Sequence, residues 1–111
     1  MSETTNESAL LEYLRMTEKR PGMYFGSYSV DHVRRHLDGW RAHRRVHADG
    51  DAFADFFFEN FHSFVEAYYQ DNRTVGWNGL IRENTKSEEE GFKVFMSLLE
   101  KFAIRFAAVR N

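Results

Sequence analysis

The sequence predicts an all-α fold, a single-domain bundle of about four helices with an aromatic-rich core. Three observations support this prediction. Three long segments repeat their apolar residues with the 3.6-residue period of a helix, and the strict alternation that a half-buried strand requires fails in the most aromatic of them. Eleven phenylalanines and two tryptophans supply large side chains for a core. A chain of 111 residues can bury such a core as one domain without disulfides, and this chain has no cysteine.

The predicted helical domain covers residues 8–108, and the polar segment 1–7 is expected to be a flexible N-terminal leader. Ser8 is the predicted N-cap of the first helix. That helix is expected to end near Lys19, because the residue before Pro21 is disfavoured in the helical conformation.

The segment RPGMYFGS that follows is expected to be a compact loop, because it begins with proline and contains two glycines. The glycines bracket three large side chains. We expect Met23, Tyr24 or Phe25 to plug the core between the first two helices. The loop is therefore interpreted as a structural element.

A second helix is predicted from Val30 to about His47, with Ser29 as its N-cap and Trp40 facing inward. Gly39 lies inside this helix, where glycine costs about 1 kcal/mol relative to alanine. A close approach by a neighbouring backbone would explain the glycine.

The segment 51–69 is the predicted central helix, with Asp51 or Asp49 as its N-cap, and it holds six of the eleven phenylalanines. At about 100° per residue, its apolar side chains share one face, which we expect to be buried. This face consists of Phe53, Phe57, Phe61, Phe64, Val65 and Tyr68. The acidic side chains gather on the opposite face.

Residues 73–83 contain a short apolar element that fits either a helix or a strand. Ser87 and Glu90 form a capping-box pattern at the start of a last helix, predicted from Glu88 to about Phe106. The predicted buried stripe of this helix consists of Phe92, Phe95, Leu99, Phe102 and Phe106.

Charge is distributed unevenly along the chain. Residues 29–48 contain five arginines and two aspartates, whereas residues 49–71 contain six acidic residues and no lysine or arginine. The overall formal charge of -2 argues against general nucleic-acid binding, which needs a basic surplus. Because the sequence has no long apolar run and no signal-like N-terminus, we expect a cytoplasmic protein that does not bind membranes.

Four histidines lie within about 60° of one another on the second helix, namely His32, His36, His43 and His47. A metal site is one interpretation, but zinc usually takes three or four protein ligands, so we place these histidines at the border between core and solvent. His62 beside Glu59 and Glu66 could form an acid–base pair, although such sets arise often by chance. Known catalytic and phosphate-binding motifs are missing, so we expect no enzyme activity, no metal and no cofactor.

The acidic face of the central helix is the predicted partner-binding surface, formed by Asp55, Phe56, Glu59, Glu66 and Gln70. Ordinary protein surfaces mix charges of both signs, and this face has no basic residue. The alternative is the ordinary solvated face of an amphipathic helix. Phe56 projects toward the edge of the face, where it either packs against a neighbouring helix or is an exposed anchor for a partner.

Five segments of the chain, in order, resemble a family of small bacterial proteins that carry RPGMYxG. The segments are EYLRMTEKRPGMYFGSYS, HVRRHLDGWRAH, FHSFVEAYY, VGWNGLIRE and SEEEGFKVFMSLLEKF. The resemblance covers about residues 11–102, and Trp40 stands where the family usually has tyrosine. Members are often encoded beside secreted polymorphic or contact-dependent toxins, which is the setting of immunity proteins.

The resemblance implies an immunity-type protein that binds a cognate toxin domain, such as a nuclease, and neutralises it by occlusion. The family has no agreed catalytic residues to carry over. The alternative, from another functional class, is a small helical regulatory or nucleic-acid-associated module that uses the basic face of Arg34, Arg41 and Arg45. The sequence leaves the oligomeric state open.

Overall fold

A computed structural model describes residues 8–47 and 50–110, with side chains described for residues 8–43 and 50–109. The predicted leader, residues 1–7, lies outside the described residues. Within the described residues the chain forms six helices and no strand, which confirms the predicted all-α class. The helices are α1 (Ala9–Thr17), α2 (Pro21–Phe25), α3 (Val30–His47), α4 (Ala52–Tyr69), α5 (Gly76–Glu83) and α6 (Glu88–Arg110).

Helix α2 lies where the sequence predicted a loop. Pro21 occupies its first turn, where the missing N–H costs no helical hydrogen bond. Gly26 ends the helix in the left-handed conformation, with a φ of 84°, which glycine adopts without strain. Phe25 is buried and Tyr24 is half-buried, whereas Met23 is 64% exposed. The core plug is therefore Phe25, and it is carried by a helical turn.

Helix α5 shows that the ambiguous segment 73–83 is helical. Its buried side chains Trp77, Leu80 and Ile81 are spaced i, i+3 and i+4, which places them on one helical face. Together, α2 and α5 raise the number of helices in the described residues from the predicted four or so to six. Both are too short for hydrophobic periodicity to identify them reliably.

The core is organised around α4, which packs against α1, α5 and α6. Phe53, Phe57 and Phe61 of α4 are almost completely buried. The ring of Phe102, from α6, lies edge-on against all three, with centroid distances of 5.9, 5.9 and 5.3 Å. Edge-to-face contacts of this kind add to the stability gained from burial. This packing fixes which side of α4 faces outward.

The predicted buried face of α4 is confirmed over most of its length. Val65 is buried with the three phenylalanines, but Phe64 is only half-buried and Tyr68 is 51% exposed. The predicted stripe of α6 is buried throughout. However, α6 continues to Arg110, about one turn beyond the predicted end at Phe106. Among the described residues, no helix combines the length and the apolar character needed to cross a bilayer.

Gly39 does not mark a close contact in α3. A Cβ atom built at this position would meet no atom within 4 Å. The prediction that a neighbouring backbone approaches Gly39 is therefore wrong, and the conformational cost of this glycine is not offset by packing.

The predicted serine caps are present. Ser8, Ser29 and Ser87 each accept a hydrogen bond from a backbone N–H in the following turn, at 3.1 to 3.2 Å. The capping box of α6 differs in one detail, because the Glu90 carboxylate accepts from the N–H of Lys86, at 2.9 Å, one residue before the expected donor.

Candidate partner-binding surface

The structure places the predicted acidic residues in one row along the outer side of α4. We call Asp55, Glu59 and Glu66 the α4 acidic row. Asp55 and Glu59 are exposed, and Glu66 is half-buried. Gln70 follows the row at the C-cap of α4 and is also exposed. At about 1.5 Å per residue, the row and Gln70 together span about 22 Å.

Two acidic residues in this region interact with side chains close by in the sequence. Glu66 lies 3.0 Å from His62 Nε2, in an i, i+4 contact on the same helix. Asp71 is paired with Arg73 at 2.8 Å, and the hydrogen bonds from Arg73 lower the pKa of the Asp71 carboxyl. Glu66 and Asp71 therefore have local partners, whereas Glu59 is exposed.

Phe56 packs against α6. Its ring stacks on Phe102 with a centroid distance of 5.1 Å and lies 5.3 Å from the ring of Phe106. Phe64 also contacts Phe102, in an edge-on arrangement with a centroid distance of 5.3 Å. Phe56 and Phe64 are both half-buried, so each presents part of its ring to solvent. Phe56 therefore packs on a neighbouring helix while part of its ring stays accessible.

These aromatic rings form the floor of a groove of about 340 Å³, which we call the α4–α6 groove. It is lined by Phe56, Asn60, Ser63, Phe64, Ala67, Phe102, Arg105 and Val109. Ser63 and Ala67 also line an adjoining depression that includes Glu66 and Gln70. The groove and the C-terminal end of the α4 acidic row therefore belong to one continuous surface.

The α6 side of this groove was not predicted from the sequence. Val109 is 62% exposed and lies beyond the point at which the last helix was predicted to end. Its spacing of i+7 from Phe102 was a usable signal, because residues seven apart share a helix face. Arg105 adds one guanidinium to a surface that sequence alone described as purely acidic.

The histidines of α3 make local contacts. The His32 ring lies 2.7 Å from Ser27 Oγ, and the His36 ring is hydrogen-bonded to Tyr13 Oη at 3.0 Å and stacked on the Tyr13 ring. Within the part of the chain that the structure describes, no group of three or more His, Asp or Glu side chains is arranged to hold a metal. The side chain of His47 lies outside the described residues.

The basic face of α3 is partly engaged in contacts within the protein. Arg34 donates a hydrogen bond to the side-chain oxygen of Asn78 at 2.9 Å, and its guanidinium lies 5.9 Å from the Trp77 ring. The Arg41 guanidinium lies 5.1 Å from the Phe58 ring. The side chain of Arg45 lies outside the described residues.

Comparisons of this chain with protein-family models, with curated proteins and with solved structures find no match.

Proposed function

We propose that this protein is an immunity-type binding protein that neutralises a cognate bacterial toxin domain by occluding its functional surface. The observation that supports this proposal is the combination of the α4 acidic row with the adjoining α4–α6 groove. Protein-binding sites typically combine an apolar, aromatic centre with a polar or charged rim. The groove would supply the centre, and the acidic row would supply the rim.

The charge of the row would act mainly on the rate of association. A basic toxin surface is attracted over several ångströms by aligned carboxylates, and such steering raises the association rate most at low ionic strength. Glu59 is suited to this role because it is exposed and makes no ion pair with any side chain that the structure describes. A nuclease is one fitting target, since its substrate groove must be basic to bind phosphates.

The groove would act mainly on the lifetime of the complex. Phe56 and Phe64 are held by Phe102, so their exposed edges are already ordered before binding. An apolar side chain of the toxin inserted between them would lose little additional conformational freedom of this protein. The proposal places this interaction in the cytoplasm, where an immunity protein of this kind protects the cell that makes it.

Protection of cells from the toxin tests this proposal. The toxin domain encoded beside this gene would be expressed together with the parent protein, with Glu59→Lys, or with Val109→Ser. The matched control is Glu18→Lys, which makes the same charge change on the exposed C-cap of α1, where a positive charge is tolerated.

We expect the parent and Glu18→Lys to protect the cells, and Glu59→Lys and Val109→Ser to protect them less well at equal protein levels. Full protection by both surface variants would remove the α4–α6 surface from the mechanism. A genome in which no toxin gene lies beside this one would argue against the immunity proposal itself.

A further inference from the structure

A second candidate site lies on the opposite side of α4 from the groove. There, α3, α4 and α5 enclose a cavity of about 80 Å³. Its walls include the almost fully buried side chains of Leu37, Phe57 and Phe61. Its mouth is polar and includes Arg34, Arg41 and His62. The cavity thus has an apolar floor and a mouth with two guanidinium groups and an imidazole.

Both guanidinium groups are held by neighbouring side chains. Arg34 is fixed by its hydrogen bond to Asn78 and lies over the Trp77 ring. It also packs on Gly76, where a Cβ atom would lie only 2.5 Å from Arg34 Nη1. Arg41 lies over the Phe58 ring. Contacts of a cation with an aromatic face orient the guanidinium but leave its N–H donors available for an anion.

Among the described residues that line the cavity, Asp38 is the one carboxylate, while Glu66 contacts His62 of the mouth at 3.0 Å. Asp38 Oδ2 lies 4.0 Å from Arg34 Nε, and the Asp38 side chain is 62% exposed. An exposed pair at this distance contributes little to stability and can rearrange readily. Asp38 therefore competes for Arg34 without neutralising the site.

We propose that this cavity binds a small tetrahedral oxyanion, either free phosphate or the phosphoryl end of a small phosphate ester. Guanidinium groups are the side chains best matched to phosphoryl oxygens, because they donate two parallel hydrogen bonds. One water molecule needs about 10 to 15 Å³ of such a cavity, so its volume suits a five-atom anion.

The surroundings favour a small anion over a polynucleotide. The α4 acidic row lies on the same helix as His62, and residues 49–71 contain no lysine or arginine. A phosphate chain extending from the cavity across α4 would meet repulsion from this row. The cavity and the α4–α6 groove have no lining residue in common, so anion binding can be tested separately from the part of the groove in the proposed toxin binding.

Nuclear magnetic resonance titration of the full chain tests this inference. The Trp77 indole N–H and the Arg34 and Arg41 side-chain N–H signals would be followed while inorganic phosphate or, in a second series, ribose 5-phosphate is added at constant ionic strength. The variants are Arg41→Gln, Asp38→Asn and the matched control Arg35→Gln, an exposed arginine on α3 that does not line the cavity. Melting curves would establish that each variant is folded.

We expect saturable shifts of these signals in the parent. Tighter binding of inorganic phosphate would identify the ligand as free phosphate, and tighter binding of ribose 5-phosphate would identify it as a phosphate ester. Arg41→Gln should weaken binding about tenfold or more, through loss of charge-assisted hydrogen bonds. Asp38→Asn should strengthen binding about two- to fivefold, because the competing carboxylate is removed. Arg35→Gln should bind as the parent does.

Two results would overturn the inference. The first is a response that does not saturate, or that is the same in Arg41→Gln as in Arg35→Gln. The second is that a single-stranded oligonucleotide binds more tightly than either phosphate compound and that Arg41→Gln and Arg35→Gln weaken its binding equally. This result would indicate a general basic surface and not a cavity for a small anion.

Discussion

Asp51 stabilises the first turns of two helices. Its Oδ1 accepts a hydrogen bond from the Ala54 N–H at 3.0 Å, which caps α4. Its Oδ2 accepts from the Leu10 N–H and from Ser8 Oγ, both at 3.1 Å, at the start of α1. One carboxylate therefore joins the beginnings of α1 and α4. The sequence predicted Asp51 or Asp49 as the cap of α4 but could not predict the contact with α1, because a bond across 41 residues leaves no local pattern.

Asp51→Ala should lower the free energy of unfolding by about 2 to 4 kcal/mol, since one cap and two charge-assisted hydrogen bonds are lost. Asp51→Asn should have an intermediate effect, because its amide oxygen can still cap α4 while its amide N–H₂ faces the Leu10 N–H. Urea unfolding would measure the free energy of unfolding of both variants. A loss of no more than about 1 kcal/mol in Asp51→Ala would indicate an ordinary single cap.

Gly39→Ala should raise the free energy of unfolding by about 0.5 to 1 kcal/mol, because alanine loses less backbone entropy and meets no neighbour at this exposed site. Gly26→Ala is the contrasting control. It should destabilise the protein, since Gly26 has a φ of 84°. Thermal unfolding compares the two, and destabilisation by Gly39→Ala would show that α3 has a neighbour at this position.

At the scale of helices, the three long elements could be predicted from their period and the short α1 from its serine cap, whereas α2 and α5 could not be predicted. The patterns of α3, α4 and α6 extend over 18 residues or more, so the period is unambiguous. The residues of α2 and α5 form helices because of tertiary contacts that the sequence does not display. The ring of Phe25 lies 5.2 Å from that of His36 and 6.3 Å from that of Phe92, so this side chain anchors α2 to α3 and α6.

Phe25→Ala should cost about 2 to 5 kcal/mol, as large-to-small changes in a packed core do. Met23→Ala, on the exposed side of the same short helix, should change stability by less than about 0.5 kcal/mol. Chemical denaturation of the pair measures the difference. Equal, small effects would mean that α2 does not plug the core.

Only part of the candidate partner-binding surface could be predicted from the sequence. The acidic row followed from the 3.6-residue period, because α4 is a regular helix and its opposite face is buried. The groove was not predicted, since it depends on how α6 crosses α4 and on a last turn that includes Val109. Faces of single helices are therefore readable from sequence, whereas clefts between helices require the packed structure.

At the scale of the whole molecule, an ion pair joins the first helix to the last. Arg15 donates two hydrogen bonds of 2.8 Å to Glu100 of α6. The hydrogen bond with Arg15 lowers the pKa of the Glu100 carboxyl, and this effect exceeds the opposing effect of partial burial. Because the two side chains are 38% and 45% exposed, the pair contributes only about 0.5 to 1 kcal/mol.

The lowered pKa of the Glu100 carboxyl predicts how the stability of the protein depends on pH. A carboxyl group whose pKa is lower in the folded state contributes stability above its ordinary value of 4.5, and the contribution is lost as the pH falls through the folded-state pKa. Glu100→Gln should therefore melt below the parent at pH 7, and the difference should shrink in acid. A difference that stays constant in melting curves down to strongly acidic pH would show that Glu100 stabilises by packing and not by its charge.

The affinity of the purified toxin domain for this protein, measured at low and high salt, tests most directly whether the outer face of α4 binds the partner. We expect Glu59→Lys with Glu66→Lys to melt slightly below the parent, because Glu66 loses its contact with His62, and to bind about tenfold or more weakly, with a much smaller dependence on salt. Affinity and salt dependence equal to those of the parent would contradict the claim that the α4 acidic row recognises the toxin.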